Sequence, residues 1–532
     1  MRSRLLAVAL IAVAWSFGCG TGDDDANDPC AFLVEEWGAG PLPAYTPLAV
    51  PEIEAVIGQA VDQATASGAD VTVAVVDREG FVLGVFAMPL APLGPAFPVS
   101  ATLPPDGAPG INAAIAKART AAFLSSNQNA FTTRTAGYIV DAHFPPGVFY
   151  TPAGPLYGVQ NSNDTGGDAV RGVGAGGVPI SNNPTPLPDP NGFSGGPGGL
   201  PLYKGGFLVG GVGASSTVPS ADEKIAVAAT RGFMAPHSIR ACEILVDGIR
   251  LRFADAEPPY VLPTTAFPPP GAVVMPIVAG GPLPAIPTIT YVSQTGQLVF
   301  PVVAGPPLTA ADVTTILSNA AAEMYRVRAA IRQPMGSRAQ VTVAVVDGAG
   351  RILGAFRPDD CARFSLDLAV QKARTALAYS DGVATAALGE PIAGVPLDAA
   401  VTTRAVGWMS QLYYPPGIDG TPPGPLFGVQ DALPGGLGAG IAGLDITPGT
   451  VGDATDGNGV TIFPGGIPLY KGGVLVGAIG VSGDGVDQDD LVAAAGAAGF
   501  DPPPGLKCDN FFVRGARLPY VKFPRNPYEG VR

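Results

Sequence analysis

The sequence predicts an α+β fold that is built twice, as two tandem copies of a domain with a central antiparallel sheet flanked by helices. Three observations lead to this prediction. Long segments of the chain recur in the same order. Within each copy, hairpin patterns alternate with amphipathic helices, which is typical of an antiparallel sheet with helices packed on it. Hydrophobic residues make up 47% of the 532 residues, which is ample material for packed cores.

The internal repeat is closest in two long segments. "VTVAVVDREGFVLGVF" (71–86) returns as "VTVAVVDGAGRILGAF" (341–356), identical at 11 of 16 positions. "PLYKGGFLVGGVGASS" (201–216) returns as "PLYKGGVLVGAIGVSG" (468–483). The shorter matches are "KARTA" (117–121 and 372–376) and "TTR" (132–134 and 402–404). Because the order never changes, the sequence indicates a tandem duplication.

The repeat also sets the predicted domain boundaries. We predict copy one at residues 48–254 and copy two at residues 308–532. Residues 255–307 between them are rich in proline and predict an extended linker. Part of it, "TITYVSQTGQLVF" (288–300), has the pattern of a hairpin that could add a strand pair.

Each copy is predicted to contain the same elements in the same order. In copy one these are a helix (51–66), a hairpin (71–86), a helix (111–125), a long irregular segment, a hairpin with its turn at Lys204–Gly206, a closing helix and a final strand (243–253). The closing helix is predicted to be capped by Ser220, with Glu223 at the capping-box position. The first helix of copy two is predicted over 309–331, with a capping box formed by Thr309 and Asp312.

The irregular segment is itself repeated. "DAHFPPGVFYTPAGPLYGVQ" (141–160) and "QLYYPPGIDGTPPGPLFGVQ" (411–430) are identical at 11 of 20 positions, and His143 is replaced by Tyr413. His and Tyr can both ligate haem iron, so one interpretation is a loop that presents an axial ligand. The other is a position that needs only a flat ring with a polar edge beside Pro-Pro.

The N-terminus predicts export. Residues 1–19 combine a basic start, an apolar run of 11 residues at 5–15 and Gly18 before Cys19, which predicts a signal peptide with a candidate lipidation site at Cys19. An ordinary signal peptide in which this cysteine occurs by chance is the alternative. Residues 20–47 predict a solvated tether, and the predicted location is the cell envelope or the exterior.

The four other cysteines are Cys30, Cys242, Cys361 and Cys508. An even number in an exported chain favours disulfides, with three pairings open. The sequence contains no CxxC or CxxCH motif, which argues against a zinc ribbon and against covalently attached haem. The formal net charge of −14 argues against nucleic acid as a partner. A membrane is expected as a partner only through the lipid anchor.

The chain resembles the GlcG/HbpS-like family, which is associated with haem binding and haem degradation. The resemblance rests on "VAVVDxxGxxLGxF", "AxxKARTA", "PLYKGGxLVGxxGxSG" and the acidic start of the last helix, each of which occurs in both copies. It implies a compact α+β domain, non-covalent haem as the cofactor and assembly into homo-oligomers.

Matched cations are the other candidate binding residues: Lys117, Arg119, Arg134 and Lys204 in copy one, and Lys372, Arg374, Arg404 and Lys471 in copy two. Arginine suits the carboxylates of a small acid or the propionates of haem. The structural alternative is that these cations pair with carboxylates of the protein.

These observations leave three functions open. An exported protein that binds haem or a related tetrapyrrole leads, on the resemblance. The alternatives are a domain that binds or processes a small carboxylate such as glycolate, and an envelope module without a ligand. Whether the protein is an enzyme stays open, and no catalytic residue is predicted.

Overall fold

The computed structural model describes residues 45–92, 110–157, 194–256, 260, 266–281, 288–291, 294–382, 392–427 and 461–532. The predicted signal peptide and almost all of the tether lie outside these ranges, together with Cys19 and Cys30. No helix among the described residues is both long and apolar enough to cross a membrane.

Copy one follows the predicted order, with one additional helix and a divided final strand. Its elements are α1 (Val50–Ala66), β1 (Val71–Asp77), β2 (Val82–Ala87), α2 (Ile111–Phe123), α3 (Thr133–Ile139), β3 (Gly199–Lys204), β4 (Phe207–Ser216), α4 (Asp222–Ala229), β5 (Leu245–Val246) and β6 (Ile249–Arg250). The sequence suggested one strand over 243–253, but its Asp247–Gly248 pair forms the turn of a short hairpin, β5–β6. Both turn residues have positive φ, which this tight turn requires.

Three strands come from the predicted linker: β7 (Ala272–Met275), β8 (Thr288–Tyr291) and β9 (Gln294–Phe300). β8 and β9 pair as the hairpin that the sequence indicated. The linker is therefore partly built into the sheets rather than extended throughout.

Copy two repeats the architecture. Its elements are α5 (Ala310–Arg326), β10 (Thr342–Asp347), β11 (Ile352–Pro358), α6 (Ser365–Ser380), α7 (Thr403–Met409), β12 (Gly466–Lys471), β13 (Val474–Ser482), α8 (Val486–Gly496), β14 (Phe512–Val513) and β15 (Ala516–Arg517). The Thr309–Asp312 capping box of α5 is confirmed. The helix ends at Arg326 rather than at 331, and residues 327–341 form a long connection to β10 where copy one uses only 67–70.

The two large sheets have matching strand orders, β3-β4-β1-β2-β7 and β12-β13-β10-β11-β9-β8, with every neighbouring pair antiparallel. The register is also conserved between the copies, since Thr72 lies opposite Ser215 and Thr342 lies opposite Ser482. The predicted fold class is confirmed.

Each sheet separates two layers of helix. In β1, Val73 and Val75 pack in the core that contains α1, whereas Ala74 packs with Ile115 of α2 and Val76 packs with Ala118 of α2. This alternation follows from the two-residue period of a strand. The sequence shows an unbroken apolar run there because both faces of the strand are covered.

Candidate functional site between the two copies

Short helices position the predicted arginines. Thr132 caps α3, with its hydroxyl accepting the backbone N–H of Thr135 at 3.1 Å, and Arg134 lies in the first turn that follows. Thr402 caps α7 in the same way and places Arg404. The repeated "TTR" is therefore a helix start, although it lies within the segment that the sequence predicts to be irregular.

In copy one, the cations pair with the first two residues of α4. Lys117 Nζ donates to Asp222 Oδ2 at 2.8 Å, and Arg134 donates to both carboxylate oxygens of Glu223, at 2.6 and 2.9 Å. The predicted Ser220 cap is wrong: α4 begins at Asp222 with no side-chain cap, and Glu223 is engaged by Arg134.

Copy two repeats these pairs in a more buried form. Lys372 Nζ donates to Asp489 Oδ2 at 2.7 Å, and Arg404 pairs with Asp487 at 2.7 Å and with Asp490. Burial opposes the charge on Arg404, but the two carboxylates raise its pKa above the usual value. These lysines and arginines therefore pair with carboxylates of the protein, as the structural alternative predicts.

One carboxylate oxygen distinguishes the two copies. Asp222 Oδ1 accepts hydrogen bonds from the backbone N–H and the hydroxyl of Ser216, at 2.9 and 2.5 Å. Gly483 occupies the corresponding place in copy two, and the buried Asp489 Oδ1 has no hydrogen-bond partner in the described structure. Burial raises the pKa of Asp489 to about 7, despite the attraction of Lys372, whose own pKa burial lowers.

Asp489, Lys372 and Arg404 line a cavity of about 830 Å³ between the two copies, which we call the inter-copy cavity. Its volume lies within the range of small-molecule sites, roughly 300–1,000 Å³. Its large apolar lining residues are Leu124, Phe131, Ile139, Leu156, Leu245 and Leu251 of copy one, and Ile331, Phe364, Leu368, Phe463 and Phe523 of copy two. Copy one therefore supplies mainly apolar residues together with Asp247, and copy two supplies the other charged groups and further apolar residues.

Three more cations lie along this cavity: Arg328, Lys522 and Arg525. Arg328 belongs to the long connection after α5 and donates to the backbone oxygens of Asn526 and Arg525, at 3.0 and 2.8 Å. Neither arginine makes an ion pair with a carboxylate in the described part of the chain, whereas Lys522 pairs with Asp487 at 2.8 Å. The cavity is thus rich in cations although the chain carries a net charge of −14.

His143 and Tyr413 meet where the two repeated loops pack together. Their ring centroids lie 5.9 Å apart, and His143 Nε2 lies 3.1 Å from each carboxylate oxygen of Asp419 in copy two. Neither ring belongs to the described lining of the inter-copy cavity. The two predicted ligand positions are therefore brought to each other, away from Lys372 and Arg404.

The remaining matched cations have local partners. Lys204 and Lys471 pair with carboxylates of the opening helices, Glu52 and Asp312, at 2.8 Å each. Arg119 and Arg374 sit in helices α2 and α6 and donate to the backbone oxygens of Gly80 and Gly350, at 2.9 Å each. These four side chains do not line the cavity.

Comparison with known proteins identifies a family for part of copy two. A model of the family described as "Haem degrading protein HbpS-like" matches residues 317–498, about a third of the chain. Residues 317–498 form an HbpS-like domain. This confirms the family resemblance for that part of the sequence, and it includes Lys372, Arg404 and Asp489.

Solved structures are also similar to parts of the chain. The Klebsiella pneumoniae protein ORFY is 21% identical, with 36% of this chain and 88% of that chain covered and a TM-score of 0.22. A PduOC:haem complex is 21% identical, with coverages of 35% and 91% and a TM-score of 0.20. A double mutant of Streptomyces reticuli HbpS is 21% identical, with coverages of 38% and 97% and a TM-score of 0.21. No curated protein matches.

The cysteines differ from the sequence-based expectation. Cys242 is disulfide-bonded, and its partner lies outside the described residues. Cys361, within the HbpS-like domain, and Cys508 are free and buried, so the bridges predicted for these two are wrong. Cys361 Sγ instead lies 2.9 Å from Ser365 Oγ, and Cys508 Sγ donates to Pro519 O at 3.3 Å.

Sequence reasoning missed two features of the HbpS-like domain that shape the site. The partnerless Asp489 Oδ1 follows from the replacement of Ser216 by Gly483, which is visible when the two copies are aligned. The cation Arg328 follows from the longer connection after α5, the start of which the sequence predicts to be helical. Both features are differences between the copies, whereas a repeat is recognised by the residues that its copies share.

Proposed function

We propose that this protein binds haem or a related tetrapyrrole non-covalently in the inter-copy cavity, at one site per chain. The observation that carries the proposal is the cavity itself: apolar side chains from both copies face a set of cations of which two arginines have no carboxylate partner among the described residues. Such a site suits a flat apolar ring that carries carboxylates, because apolar walls bury the ring and arginines bind the acids.

The fit to haem extends to the ring and its propionates. Arg328 and Arg525 are the side chains that would hold the propionates, and Phe131, Phe364 and Leu368 would cover the ring. The usual protein ligands of haem iron are His, Met, Cys and Tyr, and the described lining of the cavity contains none of them. We therefore propose binding through the ring and the acids, without a contribution of these lining residues to iron ligation.

His143 as an iron ligand stays a separate hypothesis, and its geometry sets a condition on it. Nε2 of His143 is engaged by Asp419, so ligation through this atom requires the contact between the repeated loops to open. Under the binding proposed here, His143→Ala leaves haem affinity unchanged.

The decisive experiment is a titration of the mature protein with hemin and, in parallel, with metal-free protoporphyrin. We expect a Soret shift with hemin, fluorescence changes with protoporphyrin, similar affinities for the two, and saturation near one ligand per chain. The double variant Arg328→Gln/Arg525→Gln should weaken both by roughly tenfold or more, since each charge-assisted hydrogen bond contributes about 1.5–3 kcal/mol. Arg351→Gln, an exposed arginine outside the described lining, is the matched control.

Other outcomes would redirect the assignment. Absence of saturable binding of either porphyrin contradicts the proposal. A thermal shift with glycolate alone favours the small-carboxylate alternative, for which Lys372 and Arg404 are the candidate residues. Loss of hemin binding in His143→Ala, with protoporphyrin binding retained, identifies His143 as the iron ligand.

We also propose that copy one is a second HbpS-like domain and that the protein is exported, with a lipid on Cys19. The repeated sequence, strand order and register support the first statement. The disulfide at Cys242 supports the second, because disulfides persist in oxidising compartments. Mass spectrometry of the mature N-terminus tests the export: a diacylglyceryl adduct on an N-terminal Cys19 is expected, and an intact residue 1 contradicts it.

A further inference from the structure

A second, smaller cavity lies behind the connection between α5 and β10. It has a volume of about 330 Å³, and every described residue that lines it is an arginine, glutamine, serine or tyrosine. Gln128 comes from copy one, Gln294 from β9, and Arg338 from the connection. Arg532 and Gln340 also line it. We call it the Arg338 pocket, and its described lining contains no Asp or Glu side chain.

The guanidinium of Arg338 lies at the interface of the two copies and has unused hydrogen-bond donors. Its side chain makes no hydrogen bond or ion pair with any described residue, and its Nε is buried without a partner. Its guanidinium lies over the ring of Tyr325, with the central carbon 3.7 Å from the ring centroid. Stacking of this kind fixes the plane of the guanidinium but leaves its N–H donors unused.

Nearby groups add donors rather than acceptors. The Arg532 side chain makes no ion pair with a carboxylate in the described structure, and it lines the same pocket. The Gln340 side-chain oxygen is used by the backbone N–H of Asp360 at 3.2 Å, which leaves the amide group of Gln340 as a donor. Both ends of the Gln128 amide are engaged, since Oε1 accepts from Arg332 at 3.2 Å and Nε2 donates to Ser337 Oγ at 3.0 Å. The pocket therefore presents unused N–H donors of Arg338, Arg532 and Gln340, to which an anion is the complementary partner.

We propose that the Arg338 pocket binds a small oxoanion, a carboxylate or a phosphate group, between the two copies. A planar guanidinium fixed by an aromatic ring offers the fork of donors that matches both groups. The site differs from the inter-copy cavity in residues and in ligand, and it does not depend on the proposed haem binding.

The experiment is isothermal titration calorimetry of the full chain with inorganic phosphate and with malonate, against sodium chloride at equal ionic strength. We expect saturable binding of phosphate, malonate or both, near one anion per chain, and no saturable heat with chloride. Binding of only one anion identifies the group that the pocket prefers. Absence of saturable binding of both anions overturns the proposal.

Two variants locate the site. Arg338→Lys keeps the charge but removes the fork and should weaken binding at least tenfold, and Arg532→Gln should weaken it severalfold without disturbing the fold, because Arg532 is exposed. Arg351→Gln, outside the described lining of both cavities, should bind as the wild type does. Equal binding by the wild type and by both pocket variants overturns the assignment. Hemin binding should be unchanged in Arg532→Gln, which separates this result from the first proposal.

Discussion

His143 Nε2 in copy one lies 3.1 Å from both carboxylate oxygens of Asp419 in copy two. Asp419 occupies the position in its loop that Phe149 holds in the first loop, and the ring of Phe149 packs edge-on against His143 with centroids 5.6 Å apart. The exchange of His143 for Tyr413 thus belongs to a set of changes at one surface. Duplicated loops have diverged into complementary halves of a contact.

The first prediction concerns the contact between His143 and Asp419. His143→Ala and Asp419→Asn should each lower the free energy of unfolding by about 1 kcal/mol, because the two side chains are only 15% and 11% exposed. The double variant should cost less than the sum of the two, since the second change has no partner left to remove. Urea unfolding of the four proteins measures the coupling. Tyr413→Phe is the control, and strict additivity contradicts the pairing.

The same loops show what the sequence could and could not predict. Strands, helices and the hairpin turn at Gly205–Gly206 followed from local patterns, and both glycines have the positive φ that this turn needs. The packing of one loop on the other depends on residues 270 positions apart, and periodicity does not report such contacts. The sequence therefore identified His143 and Tyr413 as an equivalent pair but not as neighbours.

The cysteines show a similar limit. Cys242 and Cys508 both lie shortly before the last strand pattern of their copy. In the structure, Cys508 donates its backbone N–H to Ala400 O at 3.0 Å, and in copy one it is Ala241 that makes the equivalent bond to Ala130 O at 3.0 Å. Cys508 therefore matches Ala241, one residue from Cys242. The two cysteines therefore differ by one position at a short helical turn and are not equivalent in the structure.

The second prediction concerns Asp489 and the dependence of the protein's stability on pH. Burial raises the pKa of Asp489 to about 7 in the folded protein. In the unfolded chain its pKa has the ordinary value near 4, so between these two pH values only the folded state holds the proton. The contribution of this group to stability is therefore full below about pH 4 and is lost as the pH rises to about 7. Asp489→Asn lacks this dependence.

Denaturant unfolding of wild type and Asp489→Asn from pH 4.5 to 8 measures the difference, in which other groups largely cancel. The stability of the wild type relative to the variant should fall across this range and level off above about pH 7. Asp222→Asn is the matched change in copy one, where Ser216 binds the carboxylate. A relative stability that rises with pH would show that the Asp489 carboxylate is charged in the folded state.

Glu79 makes the third prediction, because it joins the copies through two arginines. Its carboxylate lies 3.0 Å from Arg357 Nη1 and 3.0 Å from Arg363 Nε, and the three side chains are at most 9% exposed. Burial opposes the charge, yet the arginines lower the pKa of Glu79 below its usual value. Glu79→Gln leaves two buried guanidinium groups without their carboxylate, which should cost about 3–5 kcal/mol.

Scanning calorimetry provides the measurement. Wild type should unfold with strongly coupled copies, and Glu79→Gln should show a lower Tm and a broader or divided transition as the copies separate. Glu54→Gln, on the first turns of α1, is the control and should melt as wild type does. An unchanged single transition in Glu79→Gln would mean that the copies are held together elsewhere.

Gly480 makes the last prediction, which concerns the repeated glycines of the "PLYKGG" hairpins. A Cβ on Gly480 would lie 1.9 Å from the backbone oxygen of Ala369 in α6, and one on Gly213 would lie 2.0 Å from the oxygen of Ala114 in α2. These glycines let the helix that carries Lys372 or Lys117 lie directly on the sheet.

Gly480→Ala must push the helix away, which should cost about 1–3 kcal/mol. Gly505→Ala is the control, since no atom lies within 4 Å of its Cβ position. The displaced helix also bears Leu368 and Lys372 of the cavity wall, so the variant should lose hemin affinity together with stability. Equal thermal stability of the two variants would refute the close approach.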